Sequence, residues 1–218
     1  MNQHVFDMLG DSSLQIFVGS LILLLTIMNP LGMLAIFMGV TANYTKAERK
    51  KISIKASIAI AVILIAVTWL GTGILNFFSV SIPAFEVAGG LLLFMGCLPM
   101  VLPHVQGPID EDEESNLNED ISIVPLAFPI VGGPAAILQV LICLQIYGNN
   151  FHSKLALTLA SLAAVIVLFL FFYFSELFMK IIGINGLRII KILIGIILLS
   201  IAVNIIAKGV VVLIHLGN

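Results

Sequence analysis

The chain has 218 residues, of which 60% are hydrophobic and only 10% charged, with a formal net charge of −2 and a mean hydropathy of +1.17. A soluble domain carries about a quarter charged residues, so too few charges remain to cover a water-facing surface, and no basic, aromatic-interleaved patch points to nucleic acid. In lipid only helices or closed barrels satisfy the backbone, and runs such as 58–69 and 162–174 are apolar on every face, without the alternation of a barrel strand.

Taken in chain order, residues 1–13 hold no Lys or Arg, so the first apolar run reads as a membrane helix and not as a cleaved leader. A spanning helix needs roughly 20 apolar residues, and six segments supply them: 14–40, 54–78, 83–103, 123–147, 155–179 and 187–214. Thr45 is the expected N-cap of the second, and Ser81-Ile82-Pro83 turns the chain into the third. Asn149-Asn150 and Gly183-Ile184-Asn185-Gly186 mark the later turns. Cys97 and Cys143 lie inside apolar runs and read as small buried hydrophobes.

Lys46, Arg49, Lys50, Lys51 and Lys55 cluster at the first loop, and Lys180, Arg188 and Lys191 at the fifth. The positive-inside rule places both loops in the cytoplasm and both termini outside it. Between the third and fourth segments runs a linker with seven acids and no Lys or Arg. Asp110, Asp112 and Glu114 alternate as in a calcium loop, but Ser115 stands where that loop needs Gly and Ile121 where it needs Glu, so the reading is a solvated linker.

Splitting the chain at the linker gives a first three-helix unit at 1–103, the linker at 104–121 and a second unit at 122–218. Asn29-Pro30 interrupts helix 1 and Gly133-Pro134 interrupts helix 4, 104 positions later. Small residues at Ser53, Ser57 and Ala61 are matched by Ala156, Ala160 and Ala164, and Gly96 by Ser200. An odd number of spans per unit inverts the second against the first. The fold expected is all-α, with six transmembrane helices in two inverted repeats and helices 1 and 4 broken.

Pro30 removes a backbone donor and frees carbonyls one turn earlier, Gly32 relaxes the chain, and Thr26 and Asn29 sit at the same depth. Helix 4 repeats the design with Pro129, Gly132, Gly133 and Pro134. A single kink is ordinary in membrane helices. Two, at corresponding places in inverted units, point to a binding site, because broken helices leave N–H and C=O groups bare. Asn204, in mid-helix 6, needs a partner and serves either as structural glue or as a site residue. Glu86 reads as an interfacial acid at a helix start, Glu176 as an i, i+4 partner of Lys180, and Lys208 as a side chain that snorkels outward. No catalytic constellation, metal site or nucleotide loop occurs, so no enzyme and no cofactor is expected.

Met28-Asn29-Pro30-Leu31-Gly32, the Ser81-Ile82-Pro83 and Ala88-Gly89-Gly90 stretch, and Pro125-Leu126-Ala127-Phe128-Pro129 with Gly133-Pro134 resemble the MarC family of integral membrane proteins over nearly the whole chain. The resemblance implies a multi-pass protein of a bacterial or archaeal inner membrane and secondary transport, import or export, of small neutral amino acids such as glycine or alanine. It makes the two breaks the substrate region and leaves proton and sodium ion both open for coupling. This chain departs from the family at Ile130, where a small polar residue is frequent. The competing class is a non-transporting structural or regulatory membrane protein.

Overall fold

A computed structural model describes residues 12–41, 43–102 and 134–216, and everything described is helix or connecting turn. The first span is two helices, α1 (Ser12–Met28) and α2 (Pro30–Val40). They are followed by α3 (Lys46–Phe77), α4 (Ile82–Val101), α5 (Pro134–Tyr147), α6 (Phe151–Tyr173) and α7 (Ser175–Leu216).

Polar residues set the ends of these elements. Thr45 caps α3 through a capping box in which the Glu48 N–H donates to Thr45 Oγ1 at 3.4 Å and the Thr45 N–H donates to Glu48 Oε2 at 2.9 Å. Charged residues at Lys46–Lys55 therefore extend α3 two turns beyond the apolar run expected from 54 onward. Ser81 accepts from the Ala84 N–H at 3.3 Å to open α4, and Asn150 accepts from the Ser153 N–H at 2.8 Å to open α6. The fifth segment, expected to reach 179, stops at Tyr173, because the chain breaks at Phe174 and restarts at Ser175. A second break falls at Gly183, whose φ of 72° suits the residue without a Cβ.

Helices α1, α3 and α6 pack around one core, in which Leu24, Ile60, Ala164 and Leu168 are sealed and Phe37 of α2 stacks on Phe172 with ring centroids 4.5 Å apart. The α3 and α6 stripes at Ser53, Ser57, Ala156, Ala160 and Ala164 are buried, as small residues between close helices should be. Gly96 and Ser200 instead lie on exposed faces. Helices α4 and α7 form the second pairing, closed by Leu93, Cys97, Leu198 and Ala202. The outward faces carry Ile58, Val62 and Leu70 on α3, Leu159 and Ile166 on α6, and Leu193, Ile197 and Val203 on α7. Such a belt needs lipid as its solvent. Among the described residues five helices are long and apolar enough to cross a bilayer: Ser13–Val40, Lys46–Phe77, Ile82–Val101, Phe151–Tyr173 and Ile189–His215. The sixth expected segment is described only from Pro134.

Glycines set the α4–α7 distance. A Cβ on Gly209 would sit 2.8 Å from the Pro83 carbonyl oxygen and 2.9 Å from Val87 Cγ2, whereas one on Gly96 meets nothing within 4 Å. Gly209→Ala should therefore destabilise the protein by about 1–3 kcal/mol through overpacking. Gly96→Ala should instead gain up to about 1 kcal/mol from helix propensity. Thermal unfolding of the two variants in detergent tests this, and equal shifts would mean that the two helices are not in close contact at Gly209.

Candidate functional site at the helix break

The first span breaks at one residue. Asn29 adopts φ 44° and ψ 70°, a left-handed conformation that asparagine tolerates better than other side-chain-bearing residues. Its N–H still donates to the Leu25 carbonyl at 2.9 Å, so α1 ends in register. Pro30 opens α2 at a position that suits its fixed φ and missing donor. That missing N–H is also the one that would have reached the Thr26 carbonyl.

Asn29 caps the new helix with its own atoms. Its carbonyl accepts from the Met33 N–H at 2.9 Å, and its Oδ1 accepts from the Gly32 N–H at 3.0 Å. The bare N-terminal donors expected at this break are thus largely occupied. What remains is on the side chain. With Oδ1 fixed by the Gly32 N–H, the amide nitrogen Nδ2 is the free end, and it is buried with no hydrogen-bond partner among the described residues. Gly32 makes this possible, since a Cβ there would land on the Asn29 amide. An unsatisfied donor in a lipid-surrounded interior costs several kcal/mol, which makes Nδ2 a binding group in search of an acceptor. The hydroxyls of Ser57 and Ser161 are likewise buried and, among the described residues, unpartnered.

Not every expected residue gathers here. Thr26 turns to the exposed side and donates to the Ile22 carbonyl of its own helix at 2.8 Å. Asn204 is on an exposed face of α7, not at a buried contact that would demand a partner. Both departures come from helix rotation, which hydropathy alone does not set. Pro129, Gly132 and Gly133 lie outside the described residues, as does the linker 104–121, while Pro134 is described as part of α5 without its side chain.

Two carboxylates behave differently from expectation. Glu86, expected at a water interface, is buried between α4 and α7 with its side chain 3% exposed, and its Oε1 accepts no hydrogen bond from the described residues. The Lys208 ammonium stands 3.8 Å from it, itself 60% exposed, so this lysine reaches toward α4 as well as toward the surroundings. The sequence carried a faint signal, because Pro83, Glu86 and Gly90 share a helix face and Gly209 supplies the small residue opposite. Glu176 does not form the expected partnership with Lys180. It bonds Lys46 Nζ at 2.9 Å and lies 3.5 Å from Arg49 Nη1, both at the start of α3. The Lys46 hydrogen bond, with Arg49 and Lys180 nearby, holds the Glu176 carboxyl below its ordinary range. Arg49 is otherwise fastened to the Thr41 and Tyr44 carbonyls at 3.0 and 3.4 Å.

Long apolar helices, an outward apolar belt and a broken helix with an unsatisfied buried amide define a multi-pass integral membrane protein. The profile of the MarC family of integral membrane proteins matches residues 14–214. The chain belongs to that family. A UPF0056 membrane protein of Buchnera aphidicola from Acyrthosiphon pisum is 33% identical over 216 residues, covering 96% of each chain. One from Bacillus subtilis is 37% identical, covering 85% of this chain and 90% of its own. One from Methanocaldococcus jannaschii is 32% identical, covering 90% and 97%. The family thus spans bacteria and archaea. No solved structure matches the chain.

Proposed function

We propose that this chain is a secondary transporter of a small neutral amino acid, glycine or alanine, and not an enzyme, built as six spans in two inverted halves of a cytoplasmic membrane. The observation that carries the reading is the buried, unpartnered Nδ2 of Asn29 at the break in the first span. An N–H donor there suits a substrate carboxylate, and the Thr26 carbonyl, deprived of its helical donor by Pro30, suits a substrate ammonium. A zwitterion offers both groups on adjacent atoms. Pro129, Gly132, Gly133 and Pro134, 104 positions after the first break in the case of Pro134, would supply the matching surface in the other half.

The helix pairings support the inverted halves. Helix α3 packs on α6 and α4 on α7, each pairing a helix of the first half with its counterpart in the second. The contact of α2 with α7 has its counterpart in α5 with α4, and that of α1 with α6 in α5 with α3. Orientation rests on Glu176, whose bonds to Lys46 and Arg49 bring the basic starts of α3 and α7 to one end of the molecule. By the positive-inside rule that end faces the cytoplasm, with both termini on the other side.

Purified protein in proteoliposomes should accumulate labelled glycine or alanine under an imposed proton or sodium gradient, and the gradient that drives uptake identifies the coupling ion. Uptake no greater than in protein-free liposomes, for every small neutral amino acid under both gradients, would favour the structural or regulatory alternative.

A further inference from the structure

The junction between the starts of α3 and α7 forms an open-sided cavity of about 370 Å³, apart from the helix break and independent of the transport reading. Among the described residues Lys46, Arg49, Lys50 and Lys180 line it, with Glu176 as the single carboxylate and Tyr173 as a wall. Four cations against one acid leave the space strongly positive. Glu176 engages Lys46 and Arg49, and the Lys50 ammonium rests 4.6 Å from the centre of the Tyr173 ring. Arg49 retains a buried Nε–H with no acceptor. Such a set of donors matches a phosphate, which brings charge and several acceptor oxygens together.

Position decides what carries that phosphate. Tyr173 is the last residue of its spanning helix, so the cavity sits at the level of the lipid headgroups. In the following segment, 175–182, Glu176, Leu177 and Lys180 line the cavity, and Leu177 and Ile181 are exposed, the latter 72%. Charged groups of the cavity beside bare aliphatic side chains fit the boundary between headgroups and acyl chains. Basic pockets between membrane helices hold anionic headgroups through these same forces. We propose that this cavity seats the phosphate of an anionic phospholipid, with the acyl chains lying along Leu177 and Ile181.

Native mass spectrometry and thermal unfolding in detergent test this with three probes: phosphatidylglycerol, phosphatidylcholine and inorganic phosphate. Phosphatidylglycerol should bind and stabilise, while the other two at equal concentration should not. The double variant Lys50→Gln, Lys180→Gln should weaken phosphatidylglycerol binding by roughly 25-fold, since each lysine near an anionic headgroup contributes about fivefold. Glu176→Gln removes the one opposing charge and should tighten binding by about fivefold. This change of opposite sign decides the matter even if the double variant fails to fold. Phosphatidylcholine binding as well as phosphatidylglycerol, or Glu176→Gln leaving binding unchanged or weaker, would overturn the proposal. Equal stabilisation by inorganic phosphate would overturn the lipid assignment in favour of a soluble ligand.

Discussion

Lys208→Met should destabilise the protein by about 2–3 kcal/mol, more than the loss of an exposed charge can explain. Removing one member of a buried ion pair typically costs 3–5 kcal/mol because the other is left uncompensated. The figure is reduced here because Lys208 is largely exposed and its charge is partly screened. Its partner is not: Glu86 is buried and its Oε1 accepts no hydrogen bond, so Lys208 is the nearby countercharge on the facing helix. The reverse change, Glu86→Gln, leaves a lysine that water can reach and should cost only about 1 kcal/mol. The double variant should resemble Glu86→Gln alone, since without the buried carboxylate Lys208 has nothing to neutralise. Equilibrium unfolding in mixed micelles measures all three. If Lys208→Met costs no more than Glu86→Gln, the buried carboxylate is compensated by something else.

Asn29→Gly should abolish most of the ligand-induced stabilisation by glycine or alanine while leaving the empty protein at least as stable, because the unsatisfied buried donor leaves with the side chain. Glycine adopts the left-handed conformation freely, and replacing a capping residue with glycine costs only a few tenths of a kcal/mol. The amide, however, is gone. Binding should weaken by about 1–2 kcal/mol, roughly tenfold, the scale of one buried hydrogen bond. Asn29→Ala adds about 1–2 kcal/mol of strain, because alanine has no local compensation at positive φ, and should be less stable than Asn29→Gly with the same loss of binding. Gly32→Ala reaches the same amide from outside: its Cβ would occupy the place of Asn29 Nδ2, so the amide must leave. It should reproduce the binding defect without touching residue 29. Thermal-shift titration with glycine and alanine reads each effect. Equal ligand-induced shifts in Asn29→Gly and the parent would remove the amide from the site.

Membrane residence, helical class, the Thr45 cap and the break at Asn29-Pro30 all follow from the sequence, because each is a local consequence of composition or of a residue's own chemistry. A chain with 10% charged residues has nowhere but lipid to fold, and Asn29-Pro30 joins a residue that tolerates the left-handed region to one that lacks a backbone donor, which breaks a helix locally. Rotation and pairing are different. Hydropathy is uniform around these helices, so it does not say that Thr26 faces outward, that Asn204 is exposed, or that Glu86 is buried. Those outcomes depend on where small residues allow close approach: Gly209 against Pro83 brings Glu86 under α7 and within 3.8 Å of Lys208. Local spacing offered Glu176 a partner four residues away. The tertiary structure gave it Lys46 and Arg49 instead, because the break at Phe174 turns the start of α7 toward α3. Local chemistry thus set the elements and their interruptions, and packing between helices distant in sequence decided which polar groups meet.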